Sequence, residues 1–355
     1  MAIKGIVRHL VSPGIKNIAG RFHLLVLPLV LLTCATVPKT PAPGWVSDLQ
    51  SVFPQDDYLA EKGLGKTQAE AELAGSRAIS RYISTFVASQ LTEEVLLMGS
   101  GPTESIITDI TVIESDLELP AIRYAAAWYN SPEKQWETVA YINREEAWTT
   151  AYEAELRNTQ ETFFNIYTKA EGENDPVRRF AIYRGAQNYY ARNLARQRVI
   201  ASRIHPARAQ VFFEDLAMAL SELPRKLDDA RLGAVIFIDA NNDDQNRIGQ
   251  VFERALSDEN FRLSRNRAEA AALLSININL GETAHENSFS FNPVILASLT
   301  SASGILFSYN SPAMQTISTM TRDAGLRRTW NSLAAEVEKT FPIEFRQRLA
   351  SFVSD

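Results

Sequence analysis

Side chains able to do chemistry are few in this chain of 355 residues, which holds one cysteine, Cys34, and four histidines. Gly65-Lys66-Thr67 opens a helix with the lysine and hydroxyl of a phosphate loop, where backbone N–H groups surround the phosphates and the hydroxyl serves magnesium. The first glycine of that pattern falls on Ala60, so a plain capped helix start is expected instead. Asp239-Ala240-Asn241-Asn242-Asp243 alternates oxygen ligands as a calcium loop does, yet Asp244 takes the place of the required glycine and Gln250 that of the final glutamate. An Asx-rich turn capping the next helix is the expectation there. His9 and His23 lie in the leader, and His205 and His285 stand alone, which is poor material for a zinc site or a histidine-based triad. Acid pairs such as Asp56-Asp57 leave carboxylate hydrolysis open, because that chemistry depends on separation in space. No catalytic, cofactor or metal residue is therefore assigned.

Residues 1–33 read as a signal peptide: Lys4, Arg8, Lys16 and Arg21 with no acid, then an apolar run from Phe22 to Leu32 too short to span a bilayer comfortably. Leu31-Leu32-Thr33-Cys34 resembles a bacterial lipobox, in which the cysteine is acylated and becomes the mature N-terminus. A lone thiol cannot form an internal disulfide, and lipidation accounts for its single use. An uncleaved anchor over residues 22–33 is the alternative, and both tether the chain. Residues 34–44 follow as a stiff spacer with Pro38, Pro41 and Pro43. By resemblance to lipoprotein sorting, Ala35 after the cysteine implies the outer membrane. The net charge of −6 understates the acidity of the remainder, since the leader is basic, and this argues against nucleic acid as a partner.

The elements that would position any site begin at Trp45. Residues 45–143 are expected to form a first domain: an aromatic lead-in (Trp45, Phe53, Tyr58), a Gly63-Leu64-Gly65 turn, and a helix from Thr67 to Gln90 with a Thr67/Glu70 capping box. Its apolar stripe is read as Ala69, Leu73, Ser76, Ile79, Ile83, Phe86 and Val87. Glu94 to Met98 and Ile106 to Glu114 are strand candidates around Gly99, Gly101 and Pro102, and Ile122–Tyr129 with Gln135–Asn143 make a hairpin. Over residues 45–145 the chain resembles the Lpp-twenty-type bacterial lipoproteins, whose relatives include the N-terminal part of flagellar assembly protein T. The resemblance rests on Trp45-Val46, Phe53-Pro54, Tyr58-Leu59, Gly63-Leu64-Gly65 and Trp128-Tyr129 with Trp136 and Ala140-Tyr141-Ile142. It implies an envelope lipoprotein and carries no catalytic residue across.

Residues 144–231 take a helical period and form an arm of antiparallel helices, broken at Pro176 and Pro206 and ending its third segment at Leu223. Arg178, Arg179, Arg184, Arg192, Arg196, Arg198, Arg203 and Arg208 make it locally basic, facing either nearby acids or lipid headgroups and acidic polymers. Residues 232–355 make a second module. Strands are expected at Ala234–Ile238, Phe261–Leu263, Ser275–Glu282, Phe289–Phe291 and Gly304–Tyr309, with helices at Asp244–Ser257, Ala268–Leu274 and Ser318–Phe341. The fold class is α+β, with two helix-on-sheet modules joined by the arm. The function expected is that of a membrane-anchored binding or scaffold protein and not an enzyme, held to the bilayer through acylated Cys34 and contacting another envelope protein or cell-wall component. An envelope hydrolase using carboxylates, or a small-ligand sensor, is the alternative.

Overall fold

The computed structural model describes residues 41–97, 119, 121–243 and 246–354. The leader, Cys34 and the strand candidate at Ile106–Glu114 lie outside them. Ala42–Asp355 forms one compact unit, and its elements assemble as α+β.

Strand β1 (Tyr58–Gly65) is followed by helix α1 (Gln68–Leu97), and then by β2 (Arg123–Tyr124), β3 (Trp128–Asn130) and β4 (Gln135–Asn143). β4 pairs antiparallel with all three of the other strands, β1 meeting it from Tyr58↔Asn143 to Gly65↔Trp136. Successive side chains of a strand point to opposite faces, and the two faces are covered differently. Leu59, Ala140 and Ile142 join the main core under α1, whereas Tyr58, Ala60, Val139 and Tyr141 pack with Trp45 and Phe53 of the lead-in.

Gly63 and Gly65 do not form a turn. They end β1, and a Cβ on Gly63 would lie 2.0 Å from the Ala71 carbonyl oxygen, so their bareness serves close approach of α1 to the strand. The early stripe of α1 is accordingly out of phase with expectation. Ala71 and Gly75 face the sheet while Ala69 and Leu73 are exposed, and the two readings merge from Ile79 onward. The capping box forms with one change: Thr67 Oγ1 accepts from the Glu70 N–H at 3.2 Å, but the Glu70 carboxylate accepts from the Lys66 N–H at 2.8 Å. Glu94 to Leu97 continue the helix rather than starting a strand, since no glycine or proline interrupts before Gly99.

The arm opens with a helical turn (Arg144–Ala147) and a π turn (Trp148–Tyr152), then α2 (Glu153–Gly172), α3 (Pro176–Tyr189), a second π turn (Tyr190–Leu194), α4 (Ala195–Ile204), α5 (Pro206–Phe212) and α6 (Glu214–Gly233). Pro176 and Pro206 stand at first helical positions, where a missing N–H costs nothing. Pro224 does not end α6, which runs to Gly233, with Ala230 continuing beyond it the face that buries Leu216 and Leu223. Arg144 ties the arm to the first module. Its buried guanidinium donates to the carbonyls of Gln55 (3.0 Å) and Arg203 (2.8 Å).

Strand β5 (Val235–Asn241), α7 (Arg247–Asp258), β6 (Arg262–Ser264), β7 (Ala272–Asn279), β8 (Glu282–His285), β9 (Ser288–Phe291), β10 (Val294–Ser301), β11 (Gly304–Asn310), β12 (Ile317–Thr319) and α8 (Arg322–Ser354) complete the chain. Among the described residues the main sheet is ordered β11-β10-β7-β5-β6, with β5 parallel to β6 and β7 and the other pairs antiparallel. The expected helix at Ala268–Leu274 is one 3₁₀ turn (Arg267–Glu269) leading into β7, whose Ala272, Leu274, Ile276 and Ile278 alternate into the core. Pairing on both sides overrides alanine's helical preference there. β10, absent from the sequence reading, is an inner strand, and Ile317–Thr319 pairs with β9 instead of beginning the last helix. α8 passes through Pro342 because Phe341, Phe345, Leu349 and Phe352 extend one buried face across it. Phe341 meets Phe252 edge-on at 4.5 Å and stacks with Phe345 at 5.4 Å, in the range where aromatic pairs add to simple burial.

Candidate functional site

The residues singled out by type do not converge. Gly65-Lys66-Thr67 closes onto α1 by the capping bonds, and no loop cradles a phosphate there. Asp239 and Asn241 belong to β5, while the Asp243 carboxylate accepts from the N–H groups of Ile248 (3.1 Å) and Gly249 (2.7 Å) at the start of α7. Its lone pairs are committed to a helix start, as an Asx cap requires. Asp56 and Asp57 occupy an exposed turn before β1. His205 contacts Glu145 at 3.2 Å and His285 contacts Ser290 at 3.1 Å, on separate elements. Among the described residues no group of three or more His, Cys, Asp or Glu side chains is arranged to hold a metal ion, and no helix is long and apolar enough to cross a membrane.

Concave surface is found on the arm. α4, α5 and α6 enclose an open groove of about 730 Å³ whose walls carry Ser202, Ala209, Val211, Phe213, Ala217 and Met218. Val211 and Met218 are 75% and 57% exposed, and both line this groove. A second concavity of about 410 Å³ lies along α2 and Phe212, lined by Arg157, Gln160, Glu161, Phe164 and Asn165. It presents two aromatic rings with hydrogen-bonding groups around them and one carboxylate, Glu161. Two-carboxylate hydrolysis needs a pair.

A third concavity, of about 320 Å³, lies where α2 meets the second π turn. In that turn the Ala195 N–H donates to the Tyr190 carbonyl five residues back. The widened turn keeps both Tyr190 and Leu194 in the core and leaves Arg192 and Asn193 outside. Such bulges recur at functional sites.

The eight arginines between Arg178 and Arg208 divide sharply. Arg184 pairs with Glu259 at 2.6 Å and Arg208 with Glu145; Arg179 donates to the Glu173 carbonyl at 2.7 Å and Arg198 to the Tyr190 hydroxyl at 3.0 Å. Arg178 lies over the Phe352 ring at 5.3 Å, and Arg203 over Tyr82 at 4.0 Å. Arg192 and Arg196 have no such partner among the described residues, and both line the third concavity. The sequence marked the basic arm but not which members stay uncommitted, and it gave no weight to Val211 and Met218.

No known family model matches the chain, and no curated protein does. Solved structures that resemble it include the secreted protein HP1454 from Helicobacter pylori, at 14% identity and a TM-score of 0.35, covering 83% of this chain and 99% of that one. Another is a "putative lipoprotein from Caulobacter crescentus CB15", at 12% identity and a TM-score of 0.23, covering 36% of this chain and 95% of that one. Both superpositions are loose, and neither carries a function across.

Proposed function

We propose that this chain is a bacterial envelope lipoprotein, held at the outer membrane by acylated Cys34 and acting as a binding or scaffold protein and not as an enzyme. The anchoring half rests on Leu31-Leu32-Thr33-Cys34 at the end of the leader's apolar run. The binding half is carried by one observation, the groove between α4, α5 and α6 with Val211 and Met218 held out toward solvent. An apolar groove with polar edges suits a segment of another envelope protein, because burying exposed apolar surface is the main source of association free energy. A photo-crosslinking residue at Val211 of the full-length chain in intact cells tests it. One discrete protein adduct is expected, lost when Met218→Asp places a charge in the groove; no adduct, or one indifferent to Met218→Asp, contradicts it.

The second reading, a sensor of small ligands, is favoured by the concavity along α2, where Phe164 and Phe212 offer rings beside Gln160 and Asn165. A soluble ligand raising the melting temperature of the wild type, but not of Phe164→Ala, would give that reading precedence.

A further inference from the structure

Arg192 and Arg196 are exposed, and neither is paired with an acid among the described residues. Some exposed arginines are matched to acids, as in Arg157–Glu153, Arg225–Asp229, Arg254–Glu338 and Arg322–Glu282, while others, such as Arg327 and Arg328, are not. What sets Arg192 and Arg196 apart is the concavity they share. They sit one turn apart, so they share a face, and they line the same concavity with Thr159, Tyr189, Asn193 and Gln197 and with no acid among the lining residues.

Two of the other polar side chains there have an acceptor to spare. Asn193 spends its Nδ2 on the Tyr189 carbonyl at 3.1 Å, which leaves Oδ1 free to accept. Gln197 spends its Nε2 on Glu155 at 2.7 Å, and its Oε1 is buried with no donor. A ligand matching the whole set carries an anion for two planar guanidinium forks and hydroxyl donors beside it. A bare carboxylate supplies only the first. We propose that this concavity binds a phosphate ester on a hydroxylated carbon frame, of the kind found in a glycerophosphate headgroup or a phosphorylated sugar. The site spans the π turn, with Arg192 and Asn193 on it and Arg196 and Gln197 one turn further along the same face. The Glu155 carboxylate at the edge, held by Gln197, disfavours a ligand with more negative charge than one phosphate. This inference stands apart from the groove at Val211, which is lined by other residues of α4 together with α5 and α6.

The test is titration calorimetry on the full-length protein in nonionic detergent, using sn-glycerol 3-phosphate and inorganic phosphate, alongside sedimentation with vesicles of phosphatidylglycerol or of phosphatidylcholine alone. Saturable binding of sn-glycerol 3-phosphate is expected, weakened about tenfold or more by Arg192→Gln with Arg196→Gln, and unchanged by Arg231→Gln, a cation paired with Asp228. Both altered side chains are exposed, and unchanged circular dichroism and melting temperature confirm that the variant is folded. Added retention by phosphatidylglycerol vesicles, lost in the double variant, assigns the ester to a lipid headgroup; binding of the soluble ester without it assigns a phosphorylated sugar or polymer. Absence of saturable binding, binding indifferent to the double variant, or inorganic phosphate binding as tightly as the ester overturns the proposal.

Discussion

Gly63 lies so close under Ala71 that helix α1 and strand β1 meet backbone to backbone, and a side chain at residue 63 would have to displace the helix itself. Gly75 faces Ala140 across the same contact, with a Cβ there only 2.9 Å from the alanine methyl. The seam therefore depends on small residues contributed by three elements.

Gly63→Val is expected to destabilise the protein by about 3 kcal/mol or more, because overpacking here meets backbone atoms that cannot rotate away. Lys66→Ala should fall within about 0.5 kcal/mol of wild type, since only the Lys66 backbone N–H takes part in the cap. Urea unfolding of the two variants checks both values. A large loss in Lys66→Ala, or a nucleotide-dependent melting shift removed by it, would restore a role for that side chain.

Glu259 fastens the end of α7 to both the arm and the last helix. Its side chain is 3% exposed and pairs with Arg184 of α3 and Arg346 of α8, while its carbonyl accepts from Arg184 at 2.9 Å. Glu259→Ala would leave two cations without their acid and is expected to cost about 2–4 kcal/mol, below the upper range for buried pairs because both arginines keep some solvent. Arg346→Ala, whose side chain is 60% exposed, should cost less. Equal losses in the two variants, read from urea midpoints, would contradict this ordering.

Asp175 gives the fold an acid limb. Burial is the largest single influence on its carboxyl and pushes the pKa up, but hydrogen bonds from the Ser301 and Ser303 hydroxyls and the Arg178 and Val177 N–H groups together outweigh it and hold the group below the usual range. A carboxyl with a lower pKa folded than unfolded contributes stability that is fully present above its unfolded value of about 3.9 and is lost as pH falls through the folded value. Asp175→Asn should therefore flatten the loss of stability below about pH 4, and Asp175→Ala should cost about 1–2 kcal/mol at neutral pH by removing the cap. Unfolding curves between pH 3 and 7 test both, and an acid limb unchanged in Asp175→Asn would refute the assignment.

Much of this architecture is legible in local pattern. The aromatic and β-branched content of Gln135–Asn143, the Thr67 cap and the prolines opening α3 and α5 all act within a few residues of themselves. What escapes is decided at long range. The run Ala268–Leu274 is helical by composition and becomes a strand because β5 and β10 flank it. Val294–Ser301 carries a clean Ile295, Ala297, Leu299 alternation that could have revealed β10. Pro224 and Pro342 read as stops, yet the buried faces continue past them. The site suffers most from this. The eight arginines from Arg178 to Arg208 are visible in sequence, but which of them are committed depends on partners such as Glu259 and Phe352, far away along the chain.

The central claim is that Cys34 anchors the mature chain to the envelope, and metabolic labelling with a fatty-acid analogue tests it most directly. The wild type should incorporate label and fractionate with outer membranes, with one buried acyl chain adding about 0.8 kcal/mol per CH₂ and more than one needed for stable attachment. Cys34→Ala should lose the label and the processing together. A Cys34→Ala protein that remains labelled, processed and membrane-bound would contradict the account.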